Sequence, residues 1–153
     1  MMDLILWRHA EAEEGGDDLL RPLSSKGRKQ AEKMAAWLGK RFADGAITVI
    51  ASEALRSQET AKALSKQFKI DARLNPGSKA SAYLEVSNWP RETGKVLVLV
   101  GHQPEIGRVA AVILAYKELD WELRRGACWC LQRRVKEGQI TYLLRAVMSP
   151  DLL

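Results

Sequence analysis

Apolar residues in this chain form short unbroken runs, separated by stretches where they recur every three or four positions. The runs are Leu4-Ile5-Leu6-Trp7, Ile47-Thr48-Val49-Ile50-Ala51 and Val96-Leu97-Val98-Leu99-Val100. Runs this short, rich in branched residues, predict strands buried on both faces. The last, apolar at every position, predicts a central parallel strand. Between the runs, Ala31, Met34, Ala35, Leu38 and Phe42 keep helical spacing. They predict a helix from Ser25 to Phe42, with Ser24 as its N-cap and a stop near Asp44-Gly45. Leu55, Ala61, Leu64 and Phe68 predict a second helix, for which Ser52 reads as the cap. Ile106, Val109, Ala110, Ile113 and Leu114 predict another, with Pro104 at its first position.

The remaining pattern is less regular. Residues Arg8 to Leu23 are polar and acidic and read as a loop. Ile70 to Leu74 reads as a third strand, ended by Asn75-Pro76-Gly77. A short helix is predicted around Ala80 to Val86. Ala127 to Leu131 and Ile140 to Val147 read as late strands, joined as a hairpin by Lys136-Glu137-Gly138. The tail from Ser149 reads as loose. Strands alternating with helices predict an α/β three-layer sandwich, a mostly parallel central sheet flanked by helices. A length of 153 residues fits one domain spanning 1–153.

Composition narrows the function classes. No apolar run approaches the roughly 20 residues that span a bilayer, and the first residues lack the features of a signal peptide. A cytoplasmic location with no membrane partner is the expectation. The net charge of +5 favours anionic partners. The basic residues are scattered, however, and only Arg124-Arg125 and Arg133-Arg134 are adjacent, so a solvated surface is favoured over nucleic acid binding. Cys128 and Cys130 are the only cysteines. Two apart on a strand, they sit near or beyond disulfide reach and read as packing residues in a reducing compartment. No carboxylate cluster or His/Cys set has metal-ligand spacing, so no metal and no cofactor is expected.

The unusual residues fall at strand ends. Arg8 and His9 follow the first run directly, His102 follows the run ending at Val100, and Arg56 lies a turn or so beyond Ala51. His9 and His102 are the chain's only histidines. In open α/β sheets ligands bind at the carboxyl ends of strands. Parallel neighbouring strands would bring these side chains to one crevice. Two arginines there make an anion site, because guanidinium forks onto phosphate oxygens.

At these residues the chain resembles the histidine phosphatase superfamily, and within it the small SixA-like phosphohistidine phosphatases. The resemblance rests on Leu6-Trp7-Arg8-His9-Ala10-Glu11, on Arg21-Pro22-Leu23-Ser24 with Gly27, on Ser52 to Ala61, and on Val100-Gly101-His102-Gln103-Pro104. It implies that His9 is the nucleophile that becomes phosphorylated. It implies that Arg8, Arg56 and His102 hold the phosphoryl oxygens, with Arg21 beside the pocket. It also implies a phosphorylated partner, either a protein phosphohistidine or a small phosphorylated substrate. A phosphate-recognising module without turnover is the alternative from another class. A neutral imidazole is a good nucleophile, and a backbone carbonyl on one ring nitrogen would aim the other at phosphorus. Ser52 and Thr60 match the motif but read as helix cap and packing.

Three departures stand out. The stretch Glu11 to Gly16 lacks the asparagine that often follows the histidine in this superfamily. Trp7 stands where a smaller aliphatic residue is usual. No general acid is evident. Glu85 and Glu92, in the stretch Asn75 to Thr93, and Asp18, three residues before Arg21, are the candidates.

Overall fold

The computed structural model describes residues 2–42, 46–88 and 96–153. Its strands are β1 (Met2–Arg8), β2 (Ile47–Ala51), β3 (Lys69–Ile70), β4 (Val96–Gly101), β5 (Cys128–Lys136) and β6 (Gln139–Met148). They form a six-stranded sheet in the order β3-β2-β4-β1-β5-β6. β3, β2, β4 and β1 run parallel, and β5 and β6 are antiparallel additions. The four helices of the described residues are α1 (Ser25–Arg41), α2 (Leu55–Leu64), α3 (Ala80–Ser87) and α4 (Glu105–Ala115). None is long and apolar enough to cross a membrane.

Two apolar layers follow from the strand alternation. Ile5, Trp7, Val49, Ala51, Val98 and Val100 face α1 and α2, meeting Met34, Leu38 and Ala61. Leu4, Leu6, Leu97 and Leu99 face the opposite way, meeting Tyr83, Ile106, Val109 and Ile113 of α3 and α4. β4 is buried at all six positions, as a central strand between β2 and β1 must be. Cys128 and Cys130 are buried, unbridged packing residues in the first layer. Their thiols share a face and press on each other; that contact and burial raise the Cys128 pKa.

Several local expectations need correction. Ser24 caps α1 as predicted, its side chain accepting from the Gly27 N–H. Ser52 does not cap α2: the N-cap position is Ala54, and no side chain caps it. Ile70 to Leu74 is not one strand. Asp71 accepts a hydrogen bond from the Arg73 N–H and turns Ala72–Leu74 into a 3-10 helix. Pro104 sits one position outside α4. The tail is not loose: Pro150–Leu152 forms a 3-10 turn with Pro150 buried. The hairpin turn is Glu137-Gly138, both with positive φ. The predicted stop at Asp44-Gly45 and the residue Glu92 lie outside the described residues.

Candidate active site

β1 and β4 lie side by side with Arg8 opposite Gly101. The chain then leaves both strands at one edge of the sheet, and His9 N–H donates to Gly101 O at 3.1 Å. β2 ends beside β4, with Ser52 N–H donating to Val100 O at 3.2 Å. The expected convergence therefore occurs, and the His9 and His102 rings stand 5.0 Å apart between centroids.

His9 is fixed by its own backbone neighbourhood. Its Nδ1 lies 2.7 Å from Ala10 O. A carbonyl can only accept, so Nδ1 carries the proton and Nε2 bears the lone pair. Arg56 Nε lies 3.4 Å from that Nε2. Burial first, then the charges of Arg56, Arg8 and Arg21, pull the His9 pKa down to about 4, against the opposing effect of the Ala10 carbonyl. His9 is thus a neutral ring with one aimed, unprotonated nitrogen.

Arg56, on the first turn of α2, is 4% exposed and joins the site together. Its Nη1 donates to Asp18 O at 2.7 Å and its Nη2 to Asp18 Oδ2 at 3.2 Å. Nη2 also lies 3.5 Å from His102 Nδ1. The loop from Glu11 to Ser24 folds back on itself, with Ala12 bridged to Leu23, and carries a 3-10 turn at Asp18–Leu20 over Arg56. Gly27 lets that loop close down: a Cβ there would overlap the Glu11 carbonyl.

The two arginines flanking this centre differ. Arg8 Nη1 donates to Leu123 O at 2.6 Å, while its buried Nε has no protein partner. A cleft of about 380 Å³ opens beside Arg8, flanked by Lys26 and Arg125 but also by Glu11, Glu122 and Asp151, and neither histidine lines it. Arg21 donates to Asp18 Oδ1 through Nε and Nη2, at 3.2 and 3.1 Å, and through Nη1 to Glu13 O. It shares the Asp18 carboxylate with Arg56. A cavity of about 690 Å³ between α1 and α2 is larger but contains none of these residues. Chemistry, not volume, marks the site.

The two acid candidates among the described residues separate. Asp18 reaches the site but is gripped by both Arg56 and Arg21. Slight burial tends to raise its pKa, but the hydrogen bonds and charges of the two arginines outweigh it and hold the carboxyl below its ordinary value. A carboxylate held ionised is a poor proton donor. Glu85 is exposed on α3, and its charge acts on Arg73. None of the site's hydrogen bonds or ion pairs described above involves it. Among the described residues, no three His, Cys, Asp or Glu side chains group as metal ligands.

Four residues that hold the site escaped the sequence reading as functional. Ser52 Oγ lies 2.7 Å from His102 Nε2, and Ser57 Oγ lies 3.2 Å from the same nitrogen. Thr60 Oγ1 donates to Arg56 O at 2.7 Å and accepts from Ala10 N–H at 3.1 Å, tying the His9 loop to the Arg56 helix. Tyr83 Oη donates to Leu74 O at 3.0 Å and accepts from His102 N–H at 3.1 Å. Gly101 makes room for that phenol, since a Cβ there would overlap Oη. Trp7 fits because it is fully buried and its Nε1–H donates to Gly126 O at 2.9 Å.

Known proteins share this architecture. An uncharacterized protein of Picosynechococcus sp. strain PCC 7002 is 32% identical, the match covering 73% of each chain. The structure of the protein histidine phosphatase SixA complexed with tungstate is similar at a TM-score of 0.77 and 23% identity, covering 99% of both chains. A phosphoserine phosphatase from Entamoeba histolytica, in complex with phosphoserine, is similar at 0.71 and 15% identity over 100% of both chains. At these identities the two structures speak for the fold alone. Residues 4–79, which carry Arg8, His9, Arg21 and Arg56, match the model of the histidine phosphatase superfamily (branch 1). With the imidazole and guanidinium groups of that signature brought together at the strand ends, the chain belongs to the histidine phosphatase superfamily.

Proposed function

We infer that this chain is a phosphatase that passes a phosphoryl group through His9 to water, and that its substrate is a phosphohistidine on a protein. The observation that carries the reading is the His9 ring. Nδ1 is tied to Ala10 O and the bare Nε2 faces the Arg56 guanidinium. Mere anion binding has no need of an unprotonated nitrogen aimed into the pocket.

The chemistry runs in two displacements. The Nε2 lone pair forms a bond to phosphorus while the bond to the leaving group breaks, its electron pair departing with that group. Arg56 and Arg8 balance the charge on the equatorial oxygens, and His102 supplies a neutral hydrogen bond to one of them. Arg8 Nε, buried and without a protein partner, is a free donor for this role. Water then attacks phosphorus, the Nε2–P bond breaks with its electron pair returning to Nε2, and both protons of the water leave with the phosphate product. Splitting the transfer in this way lowers each barrier, and positioning with charge stabilisation supplies the catalysis.

Phosphohistidine is favoured because, among the described residues, no protonated carboxyl group reaches the site. Asp18 is held ionised between two arginines. A protonated phosphohistidine releases neutral imidazole, whereas a serine phosphate expels a basic alkoxide that needs a proton. The two buried thiols fit a reducing, cytoplasmic setting. Small phosphomonoesters are the second reading, since the bare Nε2 of His9 and the Arg56 guanidinium beside it would serve them equally. The experiment compares phosphate release from phosphohistidine, phosphoserine and an aryl phosphate in EDTA, with rapid-quench labelling of the protein. The reading expects phosphohistidine fastest, aryl phosphate slower, phosphoserine slowest, and an acid-labile label absent from His9→Ala. Phosphoserine turned over as fast as phosphohistidine would move the assignment to phosphomonoesters. A label surviving in His9→Ala, or activity lost in EDTA and restored by metal, would refute the mechanism.

A further inference from the structure

His102 does not present a phosphate-binding face in the free protein. Arg56 Nη2 lies 3.5 Å from its Nδ1, and a guanidinium can only donate. That donor favours a lone pair on Nδ1, which puts the proton on Nε2, directed at Ser52 Oγ and Ser57 Oγ. A lone pair facing the pocket repels a phosphoryl oxygen. For the ring to take part in transfer, Nδ1 must become a donor.

Two routes lead there. The ring can gain a second proton and become imidazolium, or it can exchange one neutral tautomer for the other. The surroundings oppose the first. His102 is 2% exposed. Burial, then His9, Arg56 and Arg8, drive its pKa down to about 2, with Asp18 alone opposing. The far side of the ring favours the second. Ser52 and Ser57 are both fully buried, and both hydroxyls reach the same nitrogen. A hydroxyl accepts from Nε2–H in one tautomer and, after rotating, donates to a bare Nε2 in the other. A carboxylate or a backbone carbonyl at this place would fix one form only.

We propose that Ser52 and Ser57 are positioning residues that partner both neutral forms of His102 as it exchanges tautomers, with Nε2–H in the free protein and Nδ1–H when a phosphoryl group is bound. One proton is taken up at Nδ1 from water in the pocket and one is lost from Nε2 to water, so the ring's charge does not change. The phosphoryl oxygen then selects the Nδ1–H form. In that form Arg56 Nη2 turns from Nδ1 to the same phosphoryl group. This inference rests on the pocket being a phosphoryl site, as argued above.

The test reads the ring directly. With two histidines in the chain, ¹⁵N spectra of the imidazoles resolve each nitrogen's protonation in the wild-type protein. Spectra of the free protein are expected to show His102 protonated on Nε2. Spectra of the vanadate complex are expected to show it protonated on Nδ1, with Nε2 bare. Imidazolium in the complex, or an unchanged Nε2–H form, would overturn the proposal. If vanadate altered the His9 signals while His102 stayed unchanged, the phosphoryl site would stand and this inference would fall. If vanadate altered neither ring, both would fall. Substitutions add a second readout. Ser52→Ala should lower kcat/KM roughly tenfold, as expected when a buried acceptor loses its hydrogen bond. Ser57→Ala, whose contact is longer, should lower it less, and the double variant more than either. In the double variant bound to vanadate, the Nε2 signal should move to that of a bare nitrogen without a hydrogen-bond donor. Normal kcat/KM in the double variant would also overturn the proposal.

Discussion

β4 is buried at every position, and the parallel strands β1, β4 and β2 end in Arg8-His9, His102 and Ser52. The antiparallel hairpin β5–β6 is the opposite case. Val135, Ile140, Leu144 and Val147 are 46–56% exposed on it, and no residue of β6 enters the site described above. The register explains the exposure. Val135 faces Ile140, Leu131 faces Leu144 and Trp129 faces Val147, all on the side where α3 and α4 cover the middle of the sheet but not its edge. Parallel strands share a carboxyl end, so their loops emerge together and side chains from distant positions meet. A hairpin returns the chain at once and gathers nothing. Its contribution comes from the segment before β5, where Leu123 O, Gly126 O and Ala127 O accept from Arg8 Nη1–H, Trp7 Nε1–H and Arg8 N–H.

The sharpest way to test this contrast is Arg56→Ala. It removes the group that touches both histidines and Asp18. Turnover of an aryl phosphate should fall roughly 10²-fold or more, the scale of a lost charge-stabilising donor. Near-normal activity would mean that the strand ends do not share one transition state. Next in size is Gly101→Ala, at the end of β4. The added methyl overlaps Tyr83 Oη, and overpacking of this kind costs about 1–3 kcal/mol. Denaturant melts should show that loss, and activity should fall with it because His102 N–H hangs on the same phenol.

Thr60→Val is smaller again. It leaves the buried Ala10 N–H without its acceptor and removes the hydroxyl's bond to Arg56 O, at a cost of about 1–3 kcal/mol. Thr60→Ser should recover most of it, as measured by thermal melting. Acidification acts on the same half of the molecule. His9 protonates only near pH 4 in the folded protein. Corrected for substrate ionisation, kcat/KM should stay level from pH 8 to pH 5, whereas an ordinary imidazole would lose it below about 6.5. Stability has the opposite exposure. His102 titrates at about 2 when folded and at about 6.5 when unfolded. Below about 6.5 the unfolded chain therefore binds the extra proton, and stability falls as pH drops. Melting temperature should decline from pH 7 to pH 5, and less steeply in His102→Gln. The smallest effect is on the hairpin. Ile140→Thr should change stability by no more than about 0.5 kcal/mol and leave turnover unchanged. A catalytic defect there would show that the two halves are coupled.

These regions also differed in how far the sequence disclosed them. The five-residue apolar run at Val96 could only be a strand buried on both faces, and with it the placement of His102 was legible. Convergence with His9 and Arg56 followed from parallel strand ends. Ser52 was misread for a physical reason: a serine just before a helix is the ordinary N-cap, and here its hydroxyl meets an imidazole from another strand while the backbone N–H it accepts from, that of Ala54, lies before the first helical turn. Thr60 looks like any small helical residue until Ala10, 50 positions away, arrives beside it. Tyr83 carried no signal, because only the folded chain shows that Gly101 leaves space for its hydroxyl. Asp18 was visible as a carboxylate near Arg21, but its grip on Arg56 depends on how the loop closes over α2.

The Tyr83 hydroxyl has a bearing on the two histidines that its hydrogen bonds alone do not convey. Burial raises its pKa far above the physiological range, so across every pH at which an imidazole changes charge the phenol keeps its proton. It always donates to Leu74 O and always accepts from His102 N–H. The backbone that carries the second histidine is thus anchored to a joint that does not titrate. Acid can alter the charge on the rings, but it has no purchase on where His102 is mounted.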